Sequence, residues 1–352
     1  MEKLISLFAL DGEITSIAPL GNGHINSTYK VTTPSSAYVF QYINANVFPD
    51  VEMLMNNIEY VTEHLREKGV KTLEIVKTKT GALYVKDGER YLRGYRFIEN
   101  SVCYEALPTL EMVQEAARGF GDFHRNLSDI DITKIGEVIK GFHDTRRYFA
   151  SFKKQVEADP RGRKATCLPE IEFLLSREKD YSLLMDALEK GEIARSVTHN
   201  DPKINNVAFD AKTGKVSCIL DLDTVMPGTF LFDFGDGLRS LFTGDNEDNE
   251  DTSKLVANLP IYEAYLDGYY SMMKDVMNEK EIALLPLSIQ VIAEELSLRF
   301  LGDYLAGDVY FGVAYSTHNL VRARTQIALA KDIIAHMDEL KAITERIVKK
   351  YA

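Results

Sequence analysis

The spacing of hydrophobic residues changes near residue 101, and this change limits the folds that the chain can adopt. Before that point, short segments rich in β-branched and aromatic residues alternate with turns of glycine, proline and asparagine, which is typical of antiparallel strands. One segment, at residues 51–65, instead repeats its apolar residues at helical spacing. After that point helical spacing dominates, and only residues 206–209 and 216–221 resemble strands. The sequence therefore predicts an α+β protein with a hairpin inside its helical part.

The same change predicts the domain organisation. We expect a small β-rich N-terminal lobe at residues 1–100 and a larger, mostly helical C-terminal lobe at residues 101–352. Pro286 should divide the helical segment at residues 279–301, because proline lacks the backbone N–H that a helix interior needs. Ligands commonly bind in clefts between such lobes, so a cleft is the expected place for a functional site.

The composition argues against several classes of protein. The 352 residues carry 41 Lys and Arg against 53 Asp and Glu, a net charge of −12, whereas a general nucleic-acid surface needs clustered cations. No run of about 18 apolar residues occurs, so no membrane-spanning helix is expected. The three cysteines lie far apart, and the N-terminus lacks the layout of a signal peptide. We therefore expect a soluble cytoplasmic protein that binds neither nucleic acid nor membrane.

The residues that carry chemistry lie around the predicted hairpin. Asp201 belongs to the loop before it, Asn206 opens its first strand, and Asp221 ends its second strand. Because the start and the end of a hairpin lie at the same end of its ladder, we expect Asn206 and Asp221 to approach each other beside Asp201. Oxygen donors of this kind suit Mg²⁺, which also accepts phosphate oxygens and water. Phosphoryl transfer requires such a metal and a carboxylate that orients the attacking hydroxyl group.

This pattern resembles a known family. The motif H-x-D-x-x-x-x-N that starts at His199, with Leu-Asp at 220–221, resembles the catalytic loop and metal aspartate of the protein-kinase-like superfamily. More narrowly, it resembles the aminoglycoside phosphotransferase and choline kinase families. The longer segments at 199–206, 221–228 and 233–236 are closer still to those of N-acetylhexosamine 1-kinases. The resemblance extends over nearly the whole chain in the order of its elements.

The resemblance implies a protein-kinase-like two-lobe fold and a role for each residue of the motif. Asp201 would be the catalytic base, and Asn206 and Asp221 would be ligands of Mg²⁺, with ATP as the phosphoryl donor. The acceptor would be the anomeric hydroxyl group of an amino sugar, an N-acetylhexosamine, which would give the sugar 1-phosphate. His199 would brace the catalytic loop, and Asp233 would hold it through hydrogen bonds.

The first lobe is expected to bind the nucleotide. Gly21 and Gly23 lie between two strands, where glycine lets the backbone approach phosphates closely, although a plain hairpin turn is the alternative. By resemblance, the backbone of a hinge made of Phe97, Ile98 and Glu99 would meet adenine, and an ordinary strand end is the alternative. The chain contains no Gly-Lys-Ser or Gly-Lys-Thr, so no Walker motif is present.

One position departs from the pattern of the superfamily. The strand at residues 38–44 should carry the lysine that kinases use to hold phosphates, but it has Gln41 instead. Glutamine donates a hydrogen bond and carries no charge, so phosphate binding must depend on Mg²⁺, on the glycine loop, or on a displaced cation such as Lys30. The Lys–Glu ion pair of typical kinases is therefore not expected in this chain.

The acceptor pocket is expected to contain His24 and Arg299. Arg299 lies in an apolar helical segment, where an arginine needs a partner: Glu294 or Glu295 if its role is structural, or sugar hydroxyl groups as in the enzymes that the chain resembles. His24, at the tip of the glycine loop, could bond the sugar or a phosphate, or could simply be exposed. Asp223 could contact the sugar, a second metal ion or the nearby backbone.

Two other functions compete with a sugar kinase. The first is a kinase for another hydroxylated metabolite, such as an aminoglycoside, choline or methylthioribose; the absence of tryptophan counts against choline, because tryptophan is the strongest cation–π partner. The second is a nucleotide-binding regulatory module that has lost catalysis, which only Gln41 supports. The presence of Asp201, Asn206 and Asp221 favours an active enzyme.

Overall fold

The early strand-like segments form a five-stranded antiparallel sheet in the computed structural model of the protein, which describes residues 1–20, 26–244, 248–252 and 255–352. The spatial order of its strands is β1-β2-β3-β5-β4. The strands of the chain are β1 (Ser16–Pro19), β2 (Ser27–Thr32), β3 (Ala37–Ile43), β4 (Tyr84–Asp87), β5 (Arg90–Arg96), β6 (Ser101–Val102), β7 (Ser196–Thr198), β8 (Val207–Asp210), β9 (Val216–Ile219) and β10 (Met226–Gly228).

The chain divides into two compact units, each built from several segments. The first unit comprises Met1–Val102, Asp129–Lys140 and Ala208–Pro227. The second unit comprises Cys103–Ser128, Gly141–Val207 and Gly228–Ala352. The lobe boundaries expected from the sequence, 1–100 and 101–352, stay a prediction. The helices are α1 (Glu2–Ile5), α2 (Val51–Glu67), α3 (Leu110–Leu127), α4 (Thr145–Ala158), α5 (Leu168–Ser176), α6 (Leu183–Glu189), α7 (Phe230–Thr243), α8 (Leu259–Met273), α9 (Glu279–Ala306), α10 (His318–Ala335) and α11 (Met337–Tyr351).

The expected hairpin forms in the first unit from β8 and β9, with β6 paired to the other side of β8. Alternating apolar residues of the five-stranded sheet bury one face together with residues of the N-terminal segment. The ring of Phe40 in β3, for example, meets the ring of Phe8 edge-on, with 4.9 Å between centroids. This burial fixes the register of β3, because a shift by one residue would turn its apolar side chains outward.

Helices α3 and α8 of the second unit approach each other closely, and two glycines make this possible. A Cβ atom at Gly121 would lie 2.7 Å from the Tyr269 carbonyl oxygen, and one at Gly268 would collide with the carbonyl of Gln114. The close approach brings His124 of α3 within reach of the Tyr269 hydroxyl of α8. These two helices thereby position a histidine that supports the candidate site.

Helix α9 differs from its prediction. Pro286 was expected to divide it, yet Glu279–Ala306 is a continuous helix with Pro286 inside. Its N-terminus has a capping box, in which the Asn278 side chain accepts from the Glu281 backbone N–H and the Glu281 side chain accepts from that of Asn278. Since α9 packs against α4, α7 and α10, the burial of its apolar residues outweighs the one backbone hydrogen bond that proline removes.

Asn57 connects α2 to two other segments of the first unit. Its amide nitrogen donates to the carbonyl oxygens of Gly136 at 2.8 Å and Val225 at 3.0 Å. Its amide oxygen accepts from the Gly136 N–H at 2.9 Å. The side chain is only 2% exposed, so no water can replace these partners. Asn57 thus fixes the chain that follows Asp223, a predicted site residue.

We expect Asn57→Ala to lower the free energy of unfolding by about 2–4 kcal/mol, because the buried carbonyl of Val225 and two backbone groups of half-buried Gly136 lose their partner. Urea unfolding of the purified protein measures this change. Asn56→Ala is the matched control, since Asn56 is exposed on the same helix and should change stability by less than about 0.5 kcal/mol. Equal stability of the two variants would contradict the role given to Asn57.

Candidate active site

The loop that carries Asp201 is held by a buried carboxylate of the second unit. Asp233, 1% exposed, accepts from the backbone N–H groups of His199 and Asn200, both at 2.7 Å. Asn200 adopts a positive φ of 63°, a conformation that asparagine tolerates better than most residues. Asp233 itself lies in the first turn of α7, where the helix dipole favours a negative charge. The backbone just before Asp201 therefore has a defined course.

His124 supports Asp233 from the other side. Its Nε2 atom lies 2.7 Å from Asp233 Oδ2, and its Nδ1 atom lies 2.8 Å from the Tyr269 hydroxyl. His124 has no exposed surface. Because both ring nitrogens have partners, the imidazole cannot turn, and the carboxylate of Asp233 keeps its orientation toward the loop. The motif in the sequence did not reveal this partner, which comes from a helix 109 residues away.

Asp201 and Asn206 lie together in the second unit. The Asn206 amide nitrogen donates to the Asp201 backbone carbonyl at 2.9 Å, which leaves the amide oxygen as the chemically suitable atom for a metal ion. The Lys203 ammonium lies 3.1 Å from Asp201 Oδ1. The imidazole of His199 is buried, and its Nδ1 atom lies 3.3 Å from the Asp201 backbone nitrogen. Sequence reasoning did not single out Lys203, although its place inside the motif was a signal.

Asp221 and Asp223 belong to the first unit and have different surroundings. Asp221 is exposed and has a φ of 53°, in the left-handed region, at the start of a short 3₁₀ turn. Asp223 is 4% exposed, and its Oδ2 atom accepts from the Asn26 amide at 2.8 Å and from Arg93 Nη2 at 2.9 Å. The contact of Asp223 with the acceptor stays a prediction. Residues in the left-handed region are often functional, so Asp221 fits the role of a ligand better than that of a packing residue.

Gln41 has a clear structural partner. Its amide oxygen accepts from Arg93 Nε at 3.1 Å and Nη2 at 2.9 Å, and its amide nitrogen donates to the Thr28 hydroxyl at 3.1 Å. Burial opposes the charge of Arg93, but Asp223 more than offsets this, so the pKa of Arg93 lies above its ordinary value. Sequence reasoning missed Arg93; an arginine inside an apolar strand was the available signal. The suggested displaced cation, Lys30, lies over the Phe97 ring at 3.9 Å from its centroid.

The predicted hinge follows β5 in the first unit. The Phe97 N–H donates to the Ala37 carbonyl at 2.9 Å, and the Ile98 carbonyl accepts from the Ser101 hydroxyl at 2.7 Å. Phe97 and Ile98 are half-buried, and Glu99 is exposed. The contact of this segment with adenine stays a prediction.

Three predicted residues, Gly21, Gly23 and His24, lie outside the residues that the structure describes. Their assignment to the phosphates and to the acceptor stays a prediction.

Arg299 lies among three aromatic rings of the second unit. Its guanidinium carbon is 5.4 Å from the Phe142 ring centroid, 5.2 Å from that of Tyr148 and 5.6 Å from that of Phe311. Its carboxylate partner is Glu295, with 3.6 Å between Nη1 and Oε1. Burial opposes the charge of Arg299, but Tyr148 and Glu295 more than offset this and raise its pKa. The side chain is 13% exposed, so part of it can still meet a ligand.

The two glutamates beside Arg299 have different partners. Glu295 also lies 3.1 Å from His143 Nδ1, and His143 is buried. Burial opposes the protonation of His143, but Glu295 more than offsets this, so the pKa of His143 is raised. Glu294 instead contacts Arg177 at 3.2 Å and accepts from Gln290 at 3.0 Å. Its burial raises the pKa of Glu294 to about 7. Of the two partners that the sequence left open for Arg299, the structure therefore shows Glu295.

The oxygen atoms of Asn206, in the second unit, and of Asp221, in the first unit, are of the kind that a hard cation binds, and the approach of these two side chains stays a prediction. In the described part of the chain, no three His, Cys, Asp or Glu side chains come together as a dedicated metal site would require. Mg²⁺ needs no such cluster, because it commonly keeps several waters and takes phosphate oxygens beside one or two carboxylates. Among the same residues, no helix is long and apolar enough to cross a membrane.

Comparison with known proteins identifies the class. Residues 16–269 match the Phosphotransferase enzyme family, APH, and because this is well over half of the chain, the protein belongs to that family. It is therefore a phosphotransferase that acts on hydroxyl groups of small molecules, and the protein-kinase-like α+β fold expected from the sequence is confirmed.

Three solved structures are similar throughout their length. An aminoglycoside phosphotransferase from Alicyclobacillus acidocaldarius has a TM-score of 0.67 and 15% identity and covers 98% of this chain and 96% of its own. A microcompartment-associated aminopropanol kinase has a TM-score of 0.65 and 17% identity, with 97% of each chain covered. Amicoumacin kinase in complex with AMP-PNP, Ca²⁺ and Ami has a TM-score of 0.59 and 16% identity and covers 92% of this chain and 90% of its own. None of these three is specific to N-acetylhexosamine 1-kinases, so that part of the resemblance stays a prediction.

We expect Asp233→Ala to lower both the melting temperature and kcat, because the loop before Asp201 loses its two backbone bonds and His124 loses its partner. Asp159→Ala is the matched control: the Asp159 carboxylate also accepts from two backbone N–H groups, those of Arg163 at 2.8 Å and Lys164 at 3.1 Å. The control should lower the melting temperature without lowering kcat. Thermal unfolding and steady-state kinetics measure both, and normal kcat in Asp233→Ala would contradict the role of this carboxylate.

Proposed function

We propose that this protein is an ATP- and Mg²⁺-dependent kinase that phosphorylates the anomeric hydroxyl group of an N-acetylhexosamine. The observation that carries the proposal is the catalytic loop, in which Asn206 bonds the carbonyl of Asp201 and Asp233 holds the two residues before it. Phosphoryl transfer needs little covalent chemistry from the protein, and positioning of this kind supplies much of the catalysis.

Asp201 is the base of the proposed reaction. Its carboxylate orients the attacking hydroxyl group and accepts its proton as the hydroxyl oxygen bonds to the γ-phosphorus of ATP, while the bond from that phosphorus to the bridging oxygen breaks and ADP leaves. The Lys203 ammonium places a positive charge beside this carboxylate, where the transferred phosphoryl group brings negative charge. Asn206 and Asp221 would hold Mg²⁺, which when bound neutralises charge on the phosphate oxygens. Asp233 and His199 keep the loop in place and do not take part in proton transfer.

The nucleotide would bind to residues of the first unit. Gly21 and Gly23 would let the backbone approach the phosphates. At the hinge, the Phe97 N–H and the Ile98 carbonyl already bond within the protein, so adenine would meet the Phe97 carbonyl, the Ile98 N–H or the backbone of Glu99. The AMP-PNP of the similar amicoumacin kinase supports a nucleoside triphosphate as donor.

The acceptor would meet Arg299, with His24 and Asp223 as further contacts. The guanidinium group is a rigid fork of donors that suits pairs of sugar oxygens, and the surrounding rings suit the apolar face of a sugar. The finer assignment to an N-acetylhexosamine rests on the motifs at 199–206, 221–228 and 233–236. The competing acceptors are those of similar enzymes, an aminoglycoside or aminopropanol, together with choline and methylthioribose.

We expect the protein to release ADP from ATP and Mg²⁺ in the presence of N-acetylglucosamine or N-acetylgalactosamine, and phosphorus NMR to identify a sugar 1-phosphate. Asp201→Asn should keep its melting temperature and lose about 10²–10⁴-fold in kcat, because the base is lost. Asp275→Asn, at an exposed position, is the control and should be fully active. Turnover only with an aminoglycoside, aminopropanol, choline or methylthioribose would overturn the sugar assignment, and full activity of folded Asp201→Asn would overturn the base.

We expect Arg299→Ala to raise KM for the sugar by about 5–150-fold, which corresponds to the 1–3 kcal/mol of an unpaired buried polar group, and to leave KM for ATP nearly unchanged. Arg177→Ala is the matched control, because Arg177 pairs with the adjacent glutamate, Glu294, at 3.2 Å. That control should lower the melting temperature and leave both KM values unaltered. The same result for Arg299→Ala would show that Arg299 only supports Glu295 and His143.

A further inference from the structure

Arg93 is among the most deeply buried large side chains of the described residues. It lies in the middle of β5, and only 1% of it is exposed. An arginine removed from water costs several kcal/mol unless its charge is paired and its N–H groups are hydrogen-bonded. The partners of Arg93 therefore determine which arrangement of the first unit is stable.

Those partners form one connected network. Asp223 pairs with both ends of the guanidinium group, Oδ1 with Nη1 at 2.5 Å and Oδ2 with Nη2 at 2.9 Å. Gln41 accepts from Nε and Nη2, and Thr28 accepts from Gln41. Asn26 donates to Asp223 and accepts from the Asn44 backbone N–H at 3.0 Å. Strands β2, β3 and β5 are thus connected to the chain segment that contains Asp223.

This network explains the departure at Gln41. Gln41 and Arg93 are directly opposite each other in the pairing of β3 with β5. A lysine at position 41 would place a second cation beside the buried guanidinium group of Arg93. The guanidinium group would also lose the amide oxygen of Gln41, which accepts hydrogen bonds from two of its N–H groups. A buried cation thus already occupies the neighbouring strand at position 93, and it needs a neutral hydrogen-bond acceptor at position 41.

Two buried side-chain contacts help to hold the segment after β9. Asp223 is tied to the sheet by Arg93 and Asn26, and the Val225 carbonyl is tied to α2 by Asn57. Leu222, between the two aspartates, is buried. Asp221 lies at the exposed beginning of this segment, and its positive φ of 53° requires neighbours that hold it.

We propose that Arg93 is a positioning residue for phosphoryl transfer: through Asp223, it fixes the segment from which Asp221 presents its carboxylate to the metal. This proposal rests on the proposed function, which makes Asp221 a ligand of Mg²⁺. The carboxylate of Asp223 neutralises Arg93, so Arg93 acts on the bound nucleotide through the position of Asp221. Partners that orient a metal ligand typically contribute about 10–100-fold in affinity or activity.

The test compares Arg93→Met with the double variant Arg93→Met/Asp223→Leu. Arg93→Met leaves a buried carboxylate without its charge partner, so we expect a lower melting temperature. The double variant removes both charges; the neutral amides of Asn26 and Gln41 lose a partner, but no charge stays buried and unpaired, so its melting temperature should rise above that of Arg93→Met. A purely structural pair would recover its function together with its stability. For a positioning pair, we expect stability to return while Mg²⁺ binding stays weak.

Calorimetry with AMP-PNP and no acceptor gives the decisive readout, because a contact between Asp223 and the acceptor cannot contribute to it. With Mg²⁺ present, we expect the double variant to bind AMP-PNP about 10–100-fold more weakly than the original protein does. In EDTA, which removes Mg²⁺, the two proteins should bind AMP-PNP equally well. Arg90→Met, on the same strand but 63% exposed and paired with Asp87, is the control and should bind normally with Mg²⁺. Normal Mg²⁺-dependent binding by the stable double variant would overturn the proposal.

Two further variants separate this proposal from the proposed function. Asp221→Ala should lose the Mg²⁺-dependent part of AMP-PNP binding; if it does not, the metal role of Asp221 is wrong, and the positioning role of Arg93 is wrong with it. If Asp221→Ala loses the Mg²⁺-dependent part of AMP-PNP binding and the double variant keeps that part, only the positioning role of Arg93 is wrong. Gln41→Lys should lower the melting temperature and should not strengthen Mg²⁺–AMP-PNP binding. Stronger binding by Gln41→Lys would show that a lysine belongs at position 41 and would overturn the proposal.

Discussion

A charge that is removed from water must be paired or hydrogen-bonded, and this requirement organises both units of the protein. In the second unit, the buried carboxylate of Asp233 takes two backbone N–H groups of the catalytic loop and the imidazole of His124. In the first unit, the buried guanidinium group of Arg93 takes Asp223 and Gln41. Each buried charge can be satisfied only when a particular segment lies in one place. The segments so fixed are those that contain Asp201 and Asp221.

The two networks differ in what they hold. Asp233 acts on the backbone of the residues just before Asp201, so it determines the course of a loop. Arg93 acts on the side chain of Asp223, two residues after Asp221, so it determines where a turn attaches to a sheet. In both cases the residue assigned to chemistry is itself more exposed than the residues that hold it. Such a division keeps the reacting groups open to ligands while the protein around them stays packed.

The parts of this protein that could be predicted from its sequence depend on short-range patterns. The hairpin of β8 and β9, the sheet strands and the family follow from local spacing, because turn residues and alternating apolar residues act on their neighbours. The pairs that hold the site could not be predicted in this way: Arg93 and Asp223 are 130 residues apart, and His124 and Asp233 are 109 residues apart. Gln41 was recognised as a departure, but its reason required the strand beside it. Pro286 was judged by local propensity, which the packing of α9 overrides.

The position of the buried cation has a consequence for how phosphate charge is balanced. A lysine that touches phosphates contributes its own positive charge to them, whereas the charge of Arg93 is neutralised by Asp223. Lys30 lies over the ring of Phe97, which places its ammonium group near the predicted hinge. In the proposed enzyme Gln41 brings no charge to the phosphates, which leaves the ammonium of Lys203 and the metal that Asn206 and Asp221 would hold to balance them. If Asp221 binds the metal as proposed, its placement matters more than in an enzyme whose lysine shares the task, and the buried pair of Arg93 and Asp223 would then contribute to catalysis as well as to packing.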